Sequence, residues 1–180
     1  YLAKELGGSP ENYKRIRIPN NMFIWATMNS ADQGVFPMDT AFKRRWNFEY
    51  LGIDENEEKI KGIGKIMLAG TDEPIEWNRL RKAINAKMSS SDFKINEDKL
   101  MGPFFLSENR MIIDKDEFIK AFKSKVIMYL YEDAVKQGKH RFFEGCPDTG
   151  KYSAVCDAFD TMGIAIFGPT FRETFYDKED

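Results

Sequence analysis

The sequence predicts an α/β segment of two strands and short helices, followed by a mostly α-helical remainder. Three observations predict it. Met22 to Met28 is an apolar run broken only by Thr27, which suits a strand covered on both faces. Asn47-Phe48-Glu49-Tyr50-Leu51-Gly52-Ile53 alternates and reads as a second strand. From residue 54 onward, apolar residues recur at three- and four-residue steps, the period of helices packed on one face.

The bulk properties bound this reading. A chain of 180 residues makes one large or two small domains. With 42% hydrophobic and 31% charged residues it is globular rather than disordered. A net charge of −2 argues against a surface that coats nucleic acid. No apolar run approaches the roughly 20 residues of a membrane helix. Cys146 and Cys156 share no metal spacing, so free thiols, a reducing compartment and a cytoplasmic location are expected. The sequence opens on Tyr1-Leu2-Ala3 rather than Met. An N-terminal portion, removed, lost or supplied by another chain, is expected.

Each element has its own justification. Residues 1–21 lead in, with a short helix ending near Gly7-Gly8 and a basic edge strand, Arg15-Ile16-Arg17-Ile18, stopped by Pro19. After the first strand come a turn at Gly34 to Pro37 and a short helix. Asp39 stands at its N-cap, and Arg44 and Arg45 close it, where cations suit the negative end of the dipole. Asp54-Glu55-Asn56-Glu57 reads as a capped acidic first turn. Ile60, Ile63, Ile66 and Met67 follow at helical spacing, with Gly70 as a stop. Trp77, Leu80, Ala83, Ile84 and Met88 make a second amphipathic helix. Residues 98–106 form an apolar loop. Asp114 to Lys136 is the strongest helix, with Asp114 and Glu117 as its capping signature. Beyond it lie a glycine-rich loop, a short helix around Val155, Phe159 and Met162, and a frayed acidic terminus.

In open parallel sheets the ligand sits outside the carboxyl ends of the strands. Asn29, Ser30 and Asp32 fall at that end of the first strand. Asn both donates and accepts hydrogen bonds, and Asp only accepts, so the cluster can position a water or grip a base edge. Taken alone it also fits an Asx-turn that ends a strand. Taken alone, Arg44 and Arg45 also fit helix-end cations.

The two blocks together are more specific. Ala26-Thr27-Met28-Asn29-Ser30-Ala31-Asp32, then Met38-Asp39-Thr40-Ala41-Phe42-Lys43-Arg44-Arg45-Trp46, resembles AAA+ nucleotide hydrolases. Within them it most resembles the McrB-type motor subunit of methylcytosine-dependent restriction systems. A further stretch, Lys125-Val126-Ile127-Met128-Tyr129-Leu130-Tyr131-Glu132-Asp133, is similar to the last lid helix of that group. The resemblance implies that residues 1–53 are the C-terminal part of the α/β core of a P-loop AAA+ module. It likewise implies that 54–136 are its helical lid and 137–180 an extension.

The same resemblance implies roles. Asn29 is a catalytic sensor that orients water, and Ser30 and Asp32 join it in nucleotide recognition. Arg45, with Arg44 beside it, is a finger acting on the next subunit's nucleotide. Mg2+ with GTP or ATP is implied for the intact protein, as are a ring of copies, expected as a hexamer, and a nuclease subunit acting on DNA. Three departures stand out. Ser30 replaces the family's Thr, a mild change, and Gln33 replaces its usual Arg and removes a charge. Pro103 and Phe104 stand near the lid position where many AAA+ proteins carry a second sensor.

Absences matter as much. No G-x-x-x-x-G-K-[ST] is present, and Gly62-Ile63-Gly64-Lys65 reads as its nearest imitation. No apolar strand ends in Asp-Glu to hold a metal, so this chain carries no expected metal ligand and no turnover of its own. His140 has no nucleophile or metal partner at a useful spacing. The alternatives are a non-catalytic interaction module derived from the same fold and a DNA-binding fragment.

Overall fold

A computed structural model describes residues 4–5, 7–13, 18–27, 39–106 and 114–177. The helices of these residues are α1 (Thr40–Lys43), α2 (Trp77–Ser89), α3 (Lys115–Ala121), α4 (Lys139–Phe142), α5 (Tyr152–Met162) and α6 (Pro169–Asp177). Short 3-10 turns lie between them, including Glu57–Ile60, Pro103–Phe105 and Gly163–Phe167.

The core is built on α2. Trp77, Leu80, Ile84 and Met88 fall on one stripe and are fully buried, as their spacing requires. α3 continues through two wider-wound π segments, Phe122–Ile127 and Leu130–Ala134. Phe118, Phe122, Val126 and Leu130 are buried along this helix. Phe122 is the hub. Its ring meets Trp77 edge-on at 6.3 Å and stacks on Phe118 at 5.9 Å and on Phe159 of α5 at 4.7 Å. Fully burying such a ring stabilises the fold by about 1.5–3 kcal/mol, and paired rings add about 0.5–1.5 kcal/mol beyond area. The helix starts where the capping signature places it: the Asp114 carboxylate accepts from the Glu117 amide at 2.8 Å.

Residues 137–177 share this core. Phe142, Phe143, Phe167, Phe171 and Phe175 form a second aromatic run, ring against ring. α6 returns to α2, where the Arg79 guanidinium donates to the Phe175 carbonyl at 2.6 Å. The apolar loop also packs as expected. Met101, Pro103 and Leu106 are buried, and the Trp77 indole donates to the Pro103 carbonyl at 2.8 Å.

Other expectations are corrected. The helix foreseen from Asp54 to Gly70 is a single turn, Glu57–Ile60. Lys61 turns extended, and Gly62 and Gly64 take φ of 79° and 71°, a region helices do not use. Ile66 instead pairs with Ile75 in an antiparallel bridge. Among the described residues, β pairing is confined to that bridge. Residues 22–27 and 47–52 form neither strand nor helix. Phe23 and Trp25 are 80% and 88% exposed where a covered strand was foreseen, and Tyr50 of the foreseen alternating strand is 74% exposed. A strand needs a neighbour for its amides and carbonyls, and the described residues supply none. The frayed terminus expected from Asp177 to Asp180 lies outside the described residues except for Asp177, which ends α6.

Candidate functional site

The arginine pair lies just past the short helix α1, which ends at Lys43 rather than running to Arg45. The Asp39 carbonyl accepts from the amides of Phe42 and Lys43, both at 3.1 Å. Arg44 follows as the C-cap residue. The Asp39 side chain makes no cap bond, so the helix rests on backbone geometry and on the contact between the Phe42 and Trp46 rings, 5.7 Å apart. Arg44 and Arg45 are exposed. Arg45 folds back, its Nη1 donating to the Ala41 carbonyl at 3.0 Å. Among the described residues neither guanidinium pairs with a carboxylate. Both side chains are thus exposed at the end of a four-residue helix. Asn29, Ser30, Asp32 and Gln33 lie outside the described residues.

Helix α2 holds an arginine that the sequence motifs did not point to. Arg81 is fully buried. Its guanidinium donates to Asn78 Oδ1 at 2.7 Å, Asp54 Oδ1 at 2.7 Å, Glu57 Oε2 at 3.2 Å and the Met101 carbonyl at 3.0 Å. Asn85 completes the polar seam, exchanging two bonds of 2.9 Å with the Met101 peptide. The signal was legible: Arg81 lies on the apolar stripe itself, between Trp77 and Ile84. A charge there must be paired, and this pairing ties the 54–57 turn and the 101–103 loop to α2. The Lys82 ammonium, 2.7 Å from Glu57, holds that carboxyl below the ordinary glutamate range. The Asn78 amide and the Arg81 charge lower it further, and burial opposes them.

A closer likeness to a phosphate loop than Gly62 to Lys65 also exists. Gly145-Cys146-Pro147-Asp148-Thr149-Gly150-Lys151 has the G-x-x-x-x-G-K spacing and leads into α5, with Tyr152 in place of Ser or Thr. The structure accounts for its residues otherwise. It follows the helical turn of α4 rather than a strand. Gly145 is required by packing, since a Cβ there would lie 1.9 Å from the Ala165 carbonyl oxygen. The Gly150 amide, which a phosphate would need, donates to the Asp148 carboxylate at 2.7 Å. Tyr131 holds the loop from beneath, donating to the carbonyls of Gly150 at 2.8 Å and Thr149 at 3.2 Å. With the Gly150 amide taken by Asp148, the loop does not present that amide to a phosphate.

Other chemistry-bearing side chains are likewise accounted for. His140 is exposed and contacts the Thr149 hydroxyl through Nδ1. Burial pushes the Cys146 thiol up to about 11 and raises Cys156 as well. Neither is a ready thiolate nucleophile. Among the described residues no group of His, Cys, Asp and Glu is placed to hold a metal ion, and no helix is long and apolar enough to cross a membrane. A groove of about 1230 Å³ lies between α2 and α6. Arg79 lies over the Phe175 ring at 4.6 Å, and Arg141 over Phe93 at 5.5 Å.

Comparison with known proteins adds one link. Over 122 residues the chain is 46% identical to the type II restriction enzyme BsuMI component YdiS of Bacillus subtilis. The match covers 67% of this chain and 33% of that protein, so the chain spans about a third of the relative's length. The chain is thereby similar to a restriction-system protein. No family model matches the sequence, and no solved structure matches it.

Proposed function

We propose that this chain belongs to the motor subunit of a DNA restriction system and forms the C-terminal half of its AAA+ module, with the helical lid. The observation that carries the proposal is the 46% identity to a restriction-enzyme component. The Asn29 and Arg45 blocks resemble restriction motors on separate grounds. The exposed apolar segment at Met22 to Trp25 supports the reading too, because an inner strand deprived of its neighbours would leave such a segment bare.

In this reading the rest of the intact protein holds GTP or ATP with Mg2+. The described residues do not fit that group: the loop from Gly145 to Lys151 is closed by Asp148, and no metal cluster is present among them. What this chain contributes is orientation and charge. Asn29 holds the attacking water through its amide. Arg45, released from the Ala41 carbonyl, reaches the phosphates bound by the next copy in the ring. A guanidinium serves there because it is always charged and grips phosphate oxygens in pairs. Turnover would drive a nuclease subunit on DNA.

The test is nucleotide hydrolysis by the full-length protein with Arg44 and Arg45 both changed to Ala. A loss of about three to five decades in rate is expected, with nucleotide binding retained. An unchanged rate overturns the finger assignment.

A second reading, a non-catalytic interaction module, is favoured by Gln33 in place of Arg and by Pro103 and Phe104 at the lid position. It expects the full-length protein to bind its partners without hydrolysing nucleotide.

A further inference from the structure

We draw no further inference here: the strongest candidate, the groove between α2 and α6 where Arg79 and Arg141 stack on Phe175 and Phe93, is lined by cations and carboxylates in equal number, and nothing in the structure shows what covers it.

Discussion

Residues 18–51 and residues 52–177 are both rich in large apolar side chains, and they treat them in opposite ways. In the second region Trp77, Phe118, Phe122, Phe142, Phe159 and Phe167 disappear into one continuous core. In the first, Phe23, Trp25, Phe48, Tyr50 and Leu51 remain mostly exposed. Composition does not separate the two. The difference is closure: helices satisfy their own backbone and need only a partner face, whereas strands depend on neighbours for every hydrogen bond. The helical region completes itself with residues of this chain. The described residues 18–27 and 39–51 do not, and their large apolar side chains stay mostly exposed.

The sharpest way to break this comparison is to truncate one ring in each region. Phe122→Ala removes the hub of the aromatic core and should destabilise the chain by about 3–5 kcal/mol in a denaturant titration. Trp25→Ala in the same chain should change stability by less than about 0.5 kcal/mol. Repeated in the full-length protein, Trp25→Ala should become costly, as for any buried aromatic. A Trp25→Ala cost that stays small there would show that no sheet covers the segment.

Arg81→Met tests whether the helical region is also held by its polar seam. It removes the group that joins Asp54, Glu57, Asn78 and the Met101 carbonyl. Breaking a buried pair costs about 3–5 kcal/mol. Asp54 and Glu57 keep partial solvent access, so a value at the lower end is expected, read by thermal unfolding. A neutral result would mean that the Met stem replaces the seam by packing alone.

A smaller effect belongs to the start of α3. Asp114→Ala removes the bond to the Glu117 amide and should cost about 1 kcal/mol, while Asp114→Asn should retain most of it.

The smallest is a pH effect. The Glu57 carboxyl titrates below its ordinary range, chiefly through Lys82. A depressed carboxyl contributes stability that is present above its unfolded value and is lost as pH falls through its folded value. Unfolding measured from neutral pH down to below the glutamate range should therefore show an acid loss that Glu57→Gln reduces. An identical acid slope in Glu57→Gln would remove this pair from the explanation.

How much was legible in the sequence follows from how local each signal is. The stripe from Trp77 to Met88 and the pair Asp114 and Glu117 sit within a few turns of their own partners, so periodicity and capping found both helices. Ile60, Ile63 and Ile66 obey the same period, yet Gly62 and Gly64 adopt a backbone that ends the turn. A pattern of side chains does not report backbone angles. The glycine-lysine spacing from Gly145 to Lys151 shows the converse: the pattern is present in the sequence, but its residues are explained by Ala165, Ile166 and Tyr131, which are distant in sequence.

Side-chain spacing alone located the helix from Trp77 to Ser89, the helix that starts at Lys115, and the short helix that ends at Lys43 just before the arginine pair. These depend on spacing and on interactions within a turn or two. Packing across the chain, by contrast, brings residues 137–177 into the same core, lets Arg81 tie three segments together and seats Tyr131 beneath Gly150. Those outcomes rest on contacts between residues far apart in the chain, and a linear pattern carries no distance information about such pairs.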